Sequence, residues 1–161
     1  MIIYLLRHAQ AEKLYPDATR PLTSKGRAHA EALGQFMDHS TNVKPSLIWC
    51  SPYNRAQETL ERVSQSWDLE DSKIETEAGL VPMSDPNPII KKLDSVNEPV
   101  LIVGHNPFME SMASLLTIGE ANRLRITFKT CTLVKFSWSP IPNYGELGPA
   151  ELLGMYDPTC F

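Results

Sequence analysis

The chain has 161 residues, with 15 lysines and arginines against 19 aspartates and glutamates, for a formal net charge of -4. This length suits a single domain over residues 1–161, with a core that needs neither disulfides nor a metal. A hydrophobic content of 42% and a charged content of 21% exclude a largely disordered chain. The mild acidity also argues against a broad nucleic-acid-binding surface, because binding to phosphate backbones requires clustered lysine and arginine.

The cysteines and the hydropathy pattern point to a cytoplasmic protein. Cys50, Cys131 and Cys160 lie far apart with no CxxC motif, so we expect reduced thiols rather than disulfides. No apolar run approaches the roughly 20 residues that a membrane helix requires. The first apolar run, at residues 2–6, is too short for the core of a signal peptide. We therefore expect a cytoplasmic location and no membrane or nucleic-acid partner.

Short apolar runs alternate with helical patterns along the chain, which is typical of a layered α/β domain. The predicted strands cover residues 2–6, 47–50, 73–76, 99–103 and 132–136, with one further short strand near 153–156. The predicted helices cover residues 23–38, a stretch opened by Ser51 and Pro52, residues 86–93 and residues 106–116. Because several strands are continuous apolar runs, we expect them to be buried on both faces of a sheet. The pattern predicts a three-layer α/β/α domain with a central, mostly parallel sheet, followed by an irregular proline-rich tail from residue 139.

Three of the predicted strand-to-helix corners carry arginine, histidine or both: Arg7-His8, residues 51–55 and Gly104-His105. In an open α/β sheet, ligands bind beyond the carboxyl ends of the strands, near helix N-termini. Two arginines, two histidines and helix starts favour an anion, and a phosphoryl group suits bidentate arginine well. Ser51 is expected to cap the helix that carries Arg55. Each residue also has an ordinary interpretation, as a surface ion pair or a turn, so the argument rests on their combination and order.

The motifs at these corners resemble those of the histidine phosphatase superfamily, the phosphoglycerate-mutase-like group. Residues 6–9 are similar to its Arg-His-Gly opening, with Ala9 in place of the usual glycine. Residues 51–59 resemble its Ser-Pro-x-x-Arg-Ala-x-x-Thr segment, and residues 103–107 resemble the segment with the second catalytic histidine. The short length, the stretch at 20–26 and the lack of room for an inserted lid are similar to the SixA-type phosphohistidine phosphatases. The resemblance covers roughly residues 1–137 and implies a phosphoglycerate-mutase-like fold without a lid domain.

The resemblance also implies a role for each site residue. His8 would attack phosphorus as a neutral imidazole and form a covalent phosphohistidine. Arg7 and Arg55 would bind the phosphoryl oxygens, and His105 would add a further donor. Arg20 would contact the phosphate or the flank of the substrate, although a simple loop arginine is an equal alternative. No metal or other cofactor is expected, because two arginines repel a cation and no third ligand such as an HExxH motif accompanies the histidines.

The superfamily's usual proton donor has no clear counterpart in this chain. Many members place a glutamate after the third strand, where Glu77 is the nearest residue, with Glu75 and Asp85 behind it. A solvated strand end is the alternative interpretation of all three. A weak or missing acid would suit a phosphohistidine substrate, because an imidazole leaving group accepts a proton far more readily than an alkoxide can be expelled.

Three hypotheses for the function follow. The first is a phosphatase that acts through a phosphohistidine intermediate on a phosphorylated histidine of a signalling protein, such as a histidine-containing phosphotransfer protein. The second is a small-molecule phosphomonoesterase or mutase of the same superfamily, which would need a working carboxylic acid. The third is a non-enzymatic module that binds phosphoproteins, for which a nucleophile at His8 would be unnecessary.

Overall fold

The computed structural model describes residues 1–138 and 150–160. Within these residues it contains six strands, four α-helices and two short 3-10 helices, at Asp17–Thr19 and Ala78–Leu80. The strands are β1 (Ile2–Arg7), β2 (Leu47–Cys50), β3 (Lys73–Thr76), β4 (Val100–Gly104), β5 (Leu133–Ser137) and β6 (Glu151–Tyr156). The helices are α1 (Ser24–Ser40), α2 (Asn54–Ser64), α3 (Asn87–Leu93) and α4 (Phe108–Ile118).

The strands form one sheet in the order β3-β2-β4-β1-β5-β6. The first four strands in this order are parallel, whereas β5 and β6 run antiparallel to their neighbours. Every residue of the central strand β4 is buried, as its uninterrupted apolar run predicts. The mostly parallel sheet predicted from the sequence is therefore confirmed.

Helices cover both faces of the sheet, which confirms the predicted three layers. Successive residues of β1 alternate between two hydrophobic clusters, with Ile3 in one and Tyr4 in the other. The cluster that contains Ile3 includes side chains of α3 and α4, and the cluster that contains Tyr4 includes side chains of α1 and α2. Gly34 of α1 lies so close to α2 that a Cβ atom at this position would be 2.4 Å from the carbonyl oxygen of Val63. Only glycine permits this close approach of the two helices.

Two predicted helix starts differ from the structure. The second helix begins at Asn54, with Tyr53 rather than Ser51 at its N-cap. The reason is that Ser51 continues the backbone pairing at the carboxyl end of β2, where its N–H donates to the carbonyl oxygen of Val103 at 3.0 Å. The fourth helix begins at Phe108, two residues later than predicted.

The remaining elements follow the predictions closely. Thr23 caps α1 by accepting a hydrogen bond from the backbone N–H of Gly26 at 2.9 Å. The last strand starts at Glu151, two residues before the predicted one, and the predicted irregular segment at 139–149 lies outside the described residues. Among the helices of the described ranges, none combines the length and apolar character required to cross a bilayer.

Candidate active site

Three chain segments that carry arginine or histidine meet at the carboxyl ends of neighbouring strands. Arg7, at the end of β1, is opposite Gly104, at the end of β4, and the N–H of His8 donates to the Gly104 carbonyl oxygen at 2.9 Å. On the other side of β4, Ser51 extends β2 and pairs with the backbone of the same strand. The side chains that follow these three strands are therefore brought together at one edge of the sheet.

The two histidine rings of this site are neighbours, tilted at 51° to each other, and both are buried. Their ring centroids are 4.9 Å apart, with 8% of His8 and 1% of His105 exposed. Burial is the main cause that lowers the pKa of His8 from its ordinary 6.5 to about 4 and that of His105 to about 3. Nearby positive charges lower both pKa values further. Both imidazoles are therefore neutral at neutral pH.

Hydrogen bonds fix which nitrogen of His8 carries the proton. Its Nδ1 lies 2.7 Å from the carbonyl oxygen of Ala9, which can only accept, so Nδ1 carries the hydrogen. The Ala9 peptide is itself held in place, because its N–H donates to Thr59 Oγ1 at 2.9 Å. The other ring nitrogen, Nε2, is left unprotonated and accepts from Nε of Arg55 at 3.2 Å. The arrangement presents a nucleophilic lone pair beside a guanidinium group.

Arg55 is the most thoroughly held cation of the site. Only 4% of it is exposed, although it lies in the first turn of α2, where the helix dipole disfavours a positive charge. Besides its bond to His8, its Nη1 donates to the Asp17 carbonyl oxygen at 2.7 Å and its Nη2 to the Asp17 carboxylate at 3.1 Å. A guanidinium group has five N–H donors, so two of them remain for a ligand.

Asp17 connects two arginines, and the sequence analysis did not identify it. Its carboxylate accepts from Arg20 Nη1 at 2.7 Å as well as from Arg55. The hydrogen bond from Arg20, together with the charge of Arg55, holds the pKa of Asp17 below its usual value, although 52% of the side chain is exposed. Arg20 thus reaches the site through Asp17. The spacing of Asp17 and Arg20 hints at a local ion pair, but its link to Arg55 depends on the tertiary structure.

Arg7 is anchored by the segment that precedes β5. Its Nη1 donates to the carbonyl oxygen of Phe128 at 2.6 Å, and the Asn106 amide donates to the same oxygen at 3.0 Å. The Nε of Arg7 is buried and has no hydrogen-bond partner among the described residues. A buried donor without a partner is costly, and a bound anion would satisfy it.

Ser51 contacts His105 rather than capping α2. Its Oγ lies 2.7 Å from Nε2 of His105, while the other ring nitrogen, Nδ1, is buried without a partner in the described part of the chain. The ring of Tyr53 packs edge-on against the same imidazole, with centroids 5.1 Å apart. The predicted role of Ser51 as an N-cap that fixes Arg55 is therefore wrong, because its hydroxyl is engaged with the second histidine.

Glu77 does not join the cluster of histidines and arginines. Its carboxylate forms an ion pair with Lys92 at 2.8 Å and accepts from the backbone N–H of Gly79 at 3.2 Å. The hydrogen bond from Lys92 is the largest cause that lowers the pKa of Glu77 below its ordinary value. Glu75 shares the same lysine, and Asp85 accepts from the backbone of Asn87. All three carboxylates are therefore ionised at neutral pH and accept hydrogen bonds from these partners.

Two of the three free cysteines are buried, and the third, Cys160, is exposed near the end of the chain. Burial raises the pKa of both Cys50 and Cys131 to about 12, which keeps these thiols protonated. Within residues 1–138 and 150–160, no three His, Cys, Asp or Glu side chains are grouped in a way that could hold a metal ion.

Comparisons with known proteins agree with this geometry. Residues 3–84 match the model of the histidine phosphatase superfamily (branch 1), a span that includes Arg7, His8 and Arg55. The phosphohistidine phosphatase SixA homolog of Haemophilus influenzae is 35% identical over 148 residues, which is 86% of this chain and 88% of the relative. Phosphohistidine phosphatase SixA of Escherichia coli is 26% identical over 74% of this chain and 76% of its own length.

Solved structures share the fold along nearly the whole chain. The protein histidine phosphatase SixA complexed with tungstate superposes with a TM-score of 0.84 at 22% identity and covers 99% of both chains. The ecdysone phosphate phosphatase from Bombix mori superposes with a TM-score of 0.70 at 13% identity and covers 95% of this chain and 92% of its own. From the sequence match, its coverage and the shared fold, the chain belongs to the histidine phosphatase superfamily.

Proposed function

We propose that this protein is a metal-independent phosphohistidine phosphatase that acts on a phosphorylated histidine of a signalling protein, such as a histidine-containing phosphotransfer protein. The observation that carries the proposal is the state of His8. Its Nδ1–H is bound to the Ala9 carbonyl, and its unprotonated Nε2 faces the buried guanidinium of Arg55. This combination suits attack on a phosphoryl group that the guanidinium holds.

In the first step, the Nε2 lone pair of His8 forms a bond to phosphorus while the P–N bond of the substrate breaks. The other ring nitrogen of the substrate histidine takes a proton from solvent, so this histidine leaves as a neutral imidazole. Once phosphorus has taken the lone pair, the Nε–H of Arg55 can donate to a phosphoryl oxygen instead of to the ring nitrogen, while Asp17 keeps the guanidinium in place. The unpartnered Nε–H of Arg7 is available to a second oxygen. As the ring acquires positive charge, the hydrogen bond that Nδ1–H donates to the carbonyl oxygen of Ala9 becomes stronger, which stabilises the phosphorylated imidazole.

In the second step, water attacks phosphorus and the bond from phosphorus to Nε2 breaks. Both hydrogens of the water leave with inorganic phosphate, as H2PO4⁻, and His8 returns to its neutral form with the proton still on Nδ1. The charge in both transition states is spread over the equatorial oxygens, so the fixed cationic donors carry most of the stabilisation. Because two arginines already occupy the site, a divalent cation would be repelled there.

The state of Glu77 supports a phosphohistidine substrate over a sugar phosphate. Its carboxylate is held by Lys92 in a form that has no proton to give at neutral pH. An alkoxide leaving group would therefore lack a donor, whereas an imidazole, with a conjugate-acid pKa near 6.5, takes up a proton readily. The names of the relatives that match over most of the chain support the same substrate.

The proposal is tested by incubating the protein with a phosphohistidine-containing phosphotransfer protein and measuring free phosphate. We expect release by the wild type, no release above background by His8→Ala, and wild-type release by His39→Ala. His39 lies exposed at the end of α1 and is the matched control. In parallel, a labelled phosphoryl group should be trapped on His8 as an acid-labile, base-stable adduct. A label on another residue, or equal release by His8→Ala, would contradict the proposal.

A further inference from the structure

The buried hydroxyl of Ser51 lies at the centre of a small hydrogen-bond network. Its Oγ is 2.7 Å from His105 Nε2 and accepts from the backbone N–H of Tyr53 at 3.3 Å. The backbone of Ser51 is held on both sides, because its N–H donates to Val103 and its carbonyl oxygen accepts from Gln57 Nε2 at 2.6 Å. The hydroxyl is therefore rigidly placed against one edge of the imidazole.

Counting donors and acceptors assigns the direction of this hydrogen bond. Among the described residues, the Ser51 hydroxyl hydrogen has no acceptor other than His105 Nε2. If Nε2 carried a proton and donated to Ser51, that hydroxyl hydrogen would be buried without an acceptor, and Nδ1 would be an unpaired acceptor as well. If Ser51 donates, one group alone remains unpaired, the N–H at Nδ1 of His105. The second arrangement leaves fewer buried polar groups unsatisfied.

We propose that Ser51 is a positioning residue that keeps the proton of His105 on Nδ1, where it donates to an oxygen of the bound phosphoryl group. The proposal rests on the proposed phosphatase function for its catalytic consequence, but the proton position itself does not depend on activity. His105 is 1% exposed and its Nδ1 has no partner among the described residues, so a ligand oxygen would supply the missing acceptor.

The position of this proton matters because the ring is neutral. A protonated imidazole would donate from both nitrogens, but burial, together with the neighbouring His8 and Arg55, lowers the pKa of His105 to about 3. A neutral ring has a single N–H. With the proton on Nε2, the Nδ1 lone pair would face the phosphoryl oxygen and repel it. The serine hydroxyl thus decides whether the second histidine attracts or repels the transition state.

The proton position is measured by nitrogen NMR of the full-length, uniformly labelled protein without substrate. We expect His105 of the wild type to show a protonated Nδ1 and an unprotonated Nε2 at neutral pH. In Ser51→Ala, which removes the donor, the resonances should move toward the form with the proton on Nε2. The matched control is Ser111→Ala on α4, which removes a buried hydroxyl that donates to the side-chain oxygen of Asn122 at 2.7 Å. This control should leave the His105 signals unchanged.

Activity gives the second measurement. Ser51→Ala should lower kcat on a phosphohistidine protein by about 100-fold, the cost of losing one well-placed donor. Ser51→Cys, similar in size but a weaker donor, should restore part of the loss, and Ser111→Ala should retain full kcat. A protonated Nε2 in the wild type, or a His105 spectrum that Ser51→Ala leaves unchanged, overturns the proposal. Because the spectra need no turnover, they decide it even if no phosphatase activity is found.

Discussion

The Nε–H of Arg55 points at the unprotonated Nε2 of His8 across 3.2 Å. The same guanidinium is fixed from behind by two oxygens of Asp17, so its orientation toward the imidazole is set before any ligand binds. Such preorganisation is the main source of electrostatic stabilisation in phosphoryl transfer. Shape as well as charge at position 55 should therefore determine the activity.

Arg55→Lys keeps the positive charge and should still lower kcat/KM by about 100-fold or more, because an ammonium group cannot reproduce the planar fork that contacts His8 and Asp17 together. Steady-state kinetics on a phosphohistidine protein measure the loss. Arg62→Lys is the matched control on the same helix, since Arg62 forms a partly exposed ion pair with Glu31 at 3.2 Å and should retain full activity. A loss below tenfold for Arg55→Lys would show that charge alone is sufficient.

Removing the carboxylate of Asp17 should weaken the site. The carboxylate is half-exposed, so water screens its repulsion of an incoming anion, whereas Arg55 is buried and depends on it for orientation. We expect Asp17→Ala to lower kcat/KM by roughly tenfold and Asp17→Asn by less, because the amide keeps one acceptor. Asp71→Asn, an exposed carboxylate before β3 at the opposite end of the sheet, is the control. Tighter binding of inorganic phosphate by Asp17→Ala would mean that Asp17 competes with the anion instead.

Substitution of Glu77 distinguishes the proposed phosphohistidine phosphatase from the alternative small-molecule phosphomonoesterase or mutase. Glu77→Gln should change phosphohistidine hydrolysis by less than about threefold, because the carboxylate is ionised and paired with Lys92. Glu75→Gln and Asp85→Asn should behave in the same way. The rates are measured on a phosphohistidine protein and on sugar phosphates side by side. A loss above about 100-fold on a sugar phosphate with any of the three variants would favour the phosphomonoesterase or mutase hypothesis.

The buried histidines should make the folded state less stable as the pH falls. Between the ordinary pKa of 6.5 and the lowered values of about 4 and about 3, the unfolded chain binds more protons at His8 and His105 than the folded protein does. The free energy of unfolding therefore decreases from pH 6.5 toward pH 4, by on the order of 2 kcal/mol for each histidine. Urea unfolding at a series of pH values measures this slope.

The control for the pH effect is the double variant His8→Gln with His105→Gln. It should show a clearly shallower decrease over the same pH range, whatever its stability at neutral pH. An unchanged slope would contradict the neutral, buried state of the two rings on which both the nucleophile and the Nδ1 donor depend.

The sequence alone determined the layered α/β architecture and the residues at the centre of the site. Continuous apolar runs can only be buried on both faces, and the core strand β4 bears this out at every position. Residues that follow parallel strands lie at the carboxyl end of the sheet, which is why His8, Arg55 and His105 could be predicted to converge on one crevice. That their strands β1, β2 and β4 are neighbours was decided by the tertiary structure.

The tertiary structure decided how those residues are held. Asp17 reaches Arg55 across 38 residues of chain, Ser51 reaches His105 across 54, and the Phe128 carbonyl reaches Arg7 across 121. No local pattern encodes such contacts, because they arise from the packing of loops whose own residues carry no periodic signal. The serine shows this most clearly. Its position before a proline predicts a helix cap. In the structure, however, its backbone N–H is bound to Val103 of the sheet and its hydroxyl is hydrogen-bonded to the second histidine, His105.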